Sequence, residues 1–414
     1  MNLRQTLNGT AKKLFEYSQT VPVIDTHEHV PLSEQAYNKT TMRFGQIFEP
    51  YITKSLRSAG MTFSKPGRAG FREMKEDWDA LEPYWLATRH GSYTRPFRLA
   101  LQEFYGVDDL TRENWRDVME QINANNTPGI YKRVFHDACG IDKAIVCAPN
   151  LPAKGDPIFK GNITSPSLRA TSKQGIEDIA QDVGAPTVAS LDELLEATAS
   201  WMEKQVKENG AIQFKTTTWP IEHPDREKAQ AALNKILAEE ELEYEEEREL
   251  AVFLREADAK NASELGVPLA IHTGVWNDFR QLDARHLIKF IFRNSGTKMD
   301  LYHVGIPNVR ETLQIVKNFP NAYLNLCWAH IVASDMVVQT LKEAIDMVPL
   351  NKIFAFGADY IHFVEKVYGH LHMARENIAI VLGDRVQRNL MDLDEAKHIL
   401  RAWFYDNPKK FYGL

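Results

Sequence analysis

Residues 21–30, VPVIDTHEHV, limit the fold of this chain more than any other stretch. A strand-like run, Val21-Pro22-Val23-Ile24-Asp25, leads straight into His27 and His29. Strand side chains alternate between faces, so residues two apart point the same way. Two imidazoles are therefore expected to project together from the C-terminal end of a buried strand. Three later strand-like runs end in the same kinds of residue: His272 in VPLAIHTG, His303 in KMDLYHVG and Asp359 in KIFAFGADY. The chain repeats one arrangement, a buried strand with a metal-ligand residue type at its C-terminal end.

Strand candidates are residues 21–26, 142–148, 211–217, 267–273, 299–304, 321–328 and 352–358, with a third strand placed at Leu168–Thr171. Segments of helical period separate them at 191–208, 226–264, 283–293, 307–318, 335–347 and 364–380. Strands that alternate with helices argue for a parallel sheet. Eight such units predict an α/β chain folded as a (β/α)8 TIM barrel, whose strand C-termini open on one mouth. Residues 31–135 break the rhythm with aromatic, arginine-rich helical segments and no convincing strand. A plain connection takes ~2–6 residues, so this stretch reads as an insertion after strand 1. The expected organisation is a barrel of residues 1–30 and 136–414, with 31–135 as a helical insertion subdomain over the active-site mouth.

Composition bounds the partners. A net charge of −7 argues against nucleic acid or an anionic membrane. The acidic excess is concentrated in Glu239–Glu249, which reads as a solvated helix face. No uncharged apolar stretch approaches the ~20 residues of a membrane helix. Cys139, Cys147 and Cys327 form no CxxC and read as buried thiols of a reducing compartment. A cytoplasmic protein acting on a small molecule is expected, with self-association into a homo-oligomer.

In a parallel barrel, His27, His29, His272 and Asp359 would converge as metal ligands. Nitrogen and oxygen donors suit zinc, with manganese, iron or nickel open by the same chemistry. One divalent ion is expected, or two if Lys215, at the end of the fourth strand, is carboxylated and His303 joins it. Lys215 is alternatively a cationic substrate anchor or a structural ion pair. Catalytic roles fall to Asp359 as base and His303 as electrophile or further ligand. A metal set with an open position would acidify a bound water towards a pKa of ~7. Candidate substrate residues are Arg89, Tyr93 and Arg95 in the insertion, with Trp219, Trp276, Arg280, Trp328, His330 and His362 after later strands. Arginine suits a carboxylate because its planar fork matches two oxygens. Tryptophan offers an apolar wall. Glu28 points away from the two histidines and reads as structural.

Asp25-Thr26-His27-Glu28-His29, His272, His303 and Asp359 resemble the metal-site pattern of the amidohydrolase superfamily. The nearest part is the amidohydrolase-2 group, which includes decarboxylases and relatives of uronate isomerase. Residues 321–328 resemble that group's seventh strand and 406–414 its usual ending; the insertion, with Trp85, Arg89, Tyr93 and Trp115, is similar to that of uronate isomerase. The resemblance implies a metal-dependent barrel hydrolase with His27, His29, His272 and Asp359 around a first metal and His303 nearby. The first function expected is C–N or C–O hydrolysis of a small polar, carboxylate-bearing substrate. Decarboxylation or uronate aldose–ketose exchange comes second, and a non-catalytic metal-binding protein third.

Overall fold

The computed structural model describes residues 3–65, 67–185, 187–275 and 278–414. Eight strands form one sheet in the order β1 to β8: β1 Val23–Glu28, β2 Ile141–Cys147, β3 Phe159–Thr164, β4 Ala211–Thr217, β5 Leu269–His272, β6 Met299–Tyr302, β7 Ala322–Asn325 and β8 Ile353–Phe354. The strands are parallel and helices intervene, which is the expected (β/α)8 barrel. Chain contacts divide it into two compact units. One holds Met1–Ala144, Cys327–Lys342 and Ala355–Tyr405; the other holds Ile145–Leu326, Glu343–Phe354 and Asp406–Leu414.

Local chemistry explains the elements. The helix Leu191–Lys207 starts at a capping box made by Ser190 and Glu193, with Asp192 in its first turn and Lys204 and Lys207 in its last. Both ends complement the helix dipole. The expected helix 226–264 is two helices, Arg226–Leu237 and Tyr244–Leu265. Glu239 between them adopts a left-handed φ of 57°. Glu243 then caps the second helix, and Glu245, Glu246 and Glu247 gather in its first turn, where the dipole favours anions. Part of the acidic run is thus a helix break and start, not one continuous face.

The third strand is Phe159–Thr164, not Leu168–Thr171; residues Pro166–Arg169 are a short helix with proline at its start. Two features hide this strand. Asn162 is fully buried and donates to the Tyr302 hydroxyl at 3.3 Å, so an inward position is polar. Gly161 is bare because Leu151 lies against it: a Cβ there would meet Leu151 Cδ2 at 2.2 Å.

In the unit containing β4 to β7, the register sets Thr217 beside His272, His272 beside Tyr302 and Tyr302 beside Asn325. Beneath them lies a connected polar network. Gln213 and Asn325 donate to the Asp300 carboxylate at 3.0 Å, and Tyr412 donates to it as well. Burial pushes Asp300 up to about 6, so these donors hold a carboxylate that would otherwise be costly. In the other unit, the helix Lys366–Gln387 is buried on nearly all sides. Gly369 lets it meet the backbone of helix Arg95–Tyr105, since a Cβ would lie 2.0 Å from the Pro96 carbonyl oxygen.

Candidate metal centre

Every residue of β1 is buried, including Asp25, Thr26, His27 and Glu28. Polar residues buried this deeply need partners. The segment after β8 supplies them. Thr26 N–H donates to the Phe356 carbonyl at 3.0 Å, His29 N–H to the Tyr360 carbonyl at 3.0 Å, and Asp359 N–H to the His27 carbonyl at 2.8 Å. Asp25 accepts from Ala358 N–H at 3.1 Å, and Glu28 accepts from Tyr360 N–H at 2.9 Å. Burial pushes Asp25 up to about 7, with its hydrogen bond to Glu28 opposing; burial also holds Glu28 well above the carboxylate range, and the charge of Asp25 adds to this. The two acids form a buried pair behind the histidines.

This frame presents His27, His29 and Asp359 as one group, with one ligand atom from each lying within 4.8 Å of the others. His27 Nε2 and His29 Nε2 each lie 3.5 Å from Asp359 Oδ1. That exceeds the ~2.7–2.9 Å of a charge-assisted hydrogen bond. It matches the roughly 3.4 Å between neighbouring donors bound tetrahedrally at ~2.1 Å to one ion. Two imidazole nitrogens and one carboxylate oxygen therefore fit a borderline-soft divalent cation. Asp359 sits at a left-handed φ of 63°, and the Tyr51 hydroxyl donates to its carbonyl at 2.6 Å. Left-handed non-glycine residues of this kind cluster at functional sites.

The other unit holds the second histidine pair. His303 Nε2 lies 3.0 Å from His272 Nδ1, and His272 Nε2 lies 3.1 Å from the Gly274 carbonyl. A carbonyl only accepts, so neutral His272 carries its proton on Nε2 and accepts from His303 N–H. His303 has a φ of 69° and is buried. Lys215 is nearly buried, with its ammonium 4.4 Å from the centre of the Tyr302 ring.

The remaining candidates have varied surroundings. Tyr93 stacks on Tyr51 at 5.3 Å, and Trp328 stacks on the same Tyr51 at 4.8 Å. Lys54 lies 5.7 Å from the Trp328 ring centre. Arg89 donates to Asp109 at 3.3 Å, and Arg95 to Glu376 at 2.6 Å and to the Leu3 carbonyl. Arg280 is exposed and grips Asp278 at 2.7 and 2.8 Å. Trp219 is covered by the Arg255 guanidinium, 5.4 Å from its ring centre. His362 faces Glu49 at 3.8 Å, and His330 donates to the Ala355 carbonyl at 2.9 Å. Trp276 lies outside the described residues. Tyr51, which joins the aromatic stack to Asp359, gave no signal in the sequence; Asp25 did, as the first residue of the histidine motif.

Comparison with known proteins places the chain. Uronate isomerase of Thermotoga petrophila is 19% identical over 470 residues, covering 98% of both chains. Uronate isomerase of Shouchella clausii is 24% identical over 302 residues, covering 64% of this chain and 61% of its own. The crystal structure of glucuronate isomerase from Caulobacter crescentus superposes with a TM-score of 0.80 at 17% identity, covering 100% of this chain and 96% of that one. That of uronate isomerase from Thermotoga maritima gives 0.79 at 18% identity, covering 98% of each. Residues 160–414, more than half of the chain, match the amidohydrolase family model, and the chain belongs to the amidohydrolase family.

Proposed function

We propose that this protein is a metal-dependent isomerase that interconverts aldose and ketose forms of a uronate, a sugar acid. The observation that carries the reading is the end-to-end likeness to uronate isomerases, which covers 98% of both chains. Hydrolysis, expected first from the sequence, has support only at the level of the family. Full-length likeness to isomerases reverses that order.

His27, His29 and Asp359 would hold one divalent ion, for which we propose zinc from the nitrogen and oxygen donor set. When bound, such an ion supplies Lewis acidity towards a substrate oxygen. Aldose–ketose exchange moves one carbon-bound proton between C2 and C1, and one hydroxyl proton between their oxygens. The chain therefore needs a base and an acid. We assign the base to the Asp359 carboxylate and the acid to His303, whose Nε2–H is already directed at His272. Lys215 is assigned as an unmodified ammonium that attracts the substrate carboxylate, placed over the Tyr302 ring face at 4.4 Å from its centre. Half-buried Tyr93 is the reachable ring of the stack with Tyr51 and Trp328, a wall for the C–H face of a sugar.

Residues 31–135 are proposed as the substrate-facing insertion, supported by Tyr51 of that segment donating to the Asp359 carbonyl. We propose a cytoplasmic location, where a reducing compartment suits the buried Cys139, Cys147 and Cys327. Among the described residues no helix is long and apolar enough to cross a membrane. A homo-oligomer acting on a small molecule completes the proposal. The test is incubation of zinc-loaded protein with glucuronate and galacturonate, in parallel with N-acyl amino acids and lactones. A ketose product with solvent deuterium incorporated at carbon is expected. Hydrolysis of the amide or lactone, with no ketose formed, would overturn the reading.

A further inference from the structure

The segment Ala355–Tyr360 carries Asp359, and its six carbonyls can be accounted for one by one. Thr26 donates to Phe356 through its N–H at 3.0 Å and its hydroxyl at 2.8 Å. Trp328 N–H donates to Gly357 at 2.8 Å, and His29 N–H to Tyr360 at 3.0 Å. The other three acceptors are held by side chains: Ala355 by His330 Nε2 at 2.9 Å, Ala358 by His370 Nδ1 at 3.2 Å, and Asp359 by the Tyr51 hydroxyl at 2.6 Å. His330 Nδ1 in turn lies 3.2 Å from the Asn377 amide nitrogen, which fixes its tautomer. His370 and Asn377 are both buried on the helix Lys366–Gln387, seven residues apart. Among the described residues His370 Nε2 has no hydrogen-bond partner, and the ring packs against Phe356 at 5.1 Å and Tyr360 at 5.9 Å.

We propose that His370, with His330 as its companion, is a positioning residue for the metal site: the two buried imidazoles hold the Ala355–Asp359 backbone so that Asp359 keeps its left-handed conformation and its carboxylate faces His27 and His29. This rests on the reading of Asp359 as a metal ligand. The choice of imidazole has a physical reason. The donors behind Asp359 must be uncharged, because a cation there would compete for the carboxylate. Burial keeps both rings neutral, holding His330 down to about 4 and His370 well below the usual histidine range. Asp359 at φ 63° has no glycine freedom, so its conformation persists only while neighbouring atoms determine it. Rotation of the Ala358–Asp359 peptide would release the His370 bond and swing the carboxylate away.

The test uses zinc alone, in chelator competition with apo protein, with no substrate present. Asparagine can place an amide N–H near the Nδ1 position, and glutamine near Nε2. His370→Leu is expected to weaken zinc binding about 10–100-fold, as removal of partners behind metal ligands does, while His370→Asn stays within about threefold of wild type. His330→Met and His330→Gln form a second pair with the same expectation, and they decide the matter if His370→Leu fails to fold. Apo melting curves show which variants are folded. Folded leucine and methionine variants that bind zinc like wild type would overturn the inference, as would amide variants that lose as much as their apolar counterparts. Wild-type protein that binds no zinc would instead sink the metal reading of Asp359, and this inference with it.

Discussion

The end of β1 and the ends of β5 and β6 both present a pair of imidazoles, yet the rings of the two pairs face different partners. His27 and His29 turn their Nε2 atoms towards one carboxylate oxygen, 3.5 Å from each. His272 and His303 turn towards one another at 3.0 Å, and the far nitrogen of His272 meets the Gly274 carbonyl. A metal ligand must offer a lone pair, whereas a nitrogen bonded to a carbonyl must carry a proton. We propose that the first pair gives electrons to a cation and that the second holds and passes a proton. Both regions place a ligand-type residue in the left-handed region just after a strand, Asp359 at φ 63° and His303 at φ 69°. Residue type at a strand end thus says that a site exists; the partner of each ring nitrogen says what the site can do.

The sharpest way to break this comparison is metal retention. His27→Ala and His29→Ala are expected to lower zinc affinity by roughly 100-fold or more, beyond the effect of losing an outer partner. His272→Ala and His303→Ala are expected to keep zinc. Elemental analysis after dialysis reads the difference, and equal metal loss in all four variants would merge the two regions into one ligand set. Asp359→Asn keeps an oxygen donor but loses the base, so turnover should fall ~10²–10⁴-fold with the fold intact. Near wild-type turnover would place the base elsewhere.

A smaller effect is expected in the second region. His303→Gln keeps a donor nitrogen near the same place but gives up acid–base chemistry. Turnover should fall about 10²-fold, the low end for loss of a general acid, with zinc content unchanged. Loss of metal together with rate would move His303 into the ligand set.

The first region also predicts a pH signature. His330 is buried and its pKa is lowered to about 4, chiefly by desolvation, against an ordinary value of 6.5. Between those values the unfolded chain binds a proton that the folded chain does not, so this residue's contribution to stability falls as pH drops from about 6.5 to about 4. His330→Gln removes the titration. The stability advantage of wild type over His330→Gln should shrink on acidification by on the order of 3 kcal/mol. Taking the difference cancels the opposing buried acids Asp25, Asp258 and Asp300, whose raised values favour the folded state at low pH. Denaturant midpoints at several pH values read it; parallel curves would remove His330 as a buried neutral group.

Much of this architecture was legible because barrel strands are short apolar runs and barrel helices carry caps. His27, His29 and Asp359 were legible as ligand types at strand ends that the topology gathers. β3 was not, because its inward Asn162 and its bare Gly161 serve packing partners that only the fold supplies. The hydrogen bond between His272 and His303 was equally hidden, since a residue type does not reveal ring orientation. Tyr51 and His370 grip the Asp359 segment across long sequence separations and carry no local motif. Arg89 and Arg95 read as carboxylate anchors from residue type, and their ion pairs with Asp109 and Glu376 could not be seen in the sequence.

The smallest effects sharpen where the substrate carboxylate is read. Arg95→Ala removes one of three donors to buried Glu376, leaving His372 and the Gln5 N–H. It should cost about 1–3 kcal/mol of stability and leave KM unchanged. Arg280→Ala should change neither, because its side chain is solvent-exposed and already forked onto Asp278 two residues away. Exposed pairs of this kind are screened by water and hold little stability. Lys215→Met provides the contrast: it removes the buried ammonium over Tyr302 while keeping an unbranched side chain, and KM for a uronate should rise. Steady-state kinetics on all three, with melting curves alongside, separate the roles. A raised KM in Arg280→Ala with none in Lys215→Met would move carboxylate recognition from the base of the second region to the loop after β5.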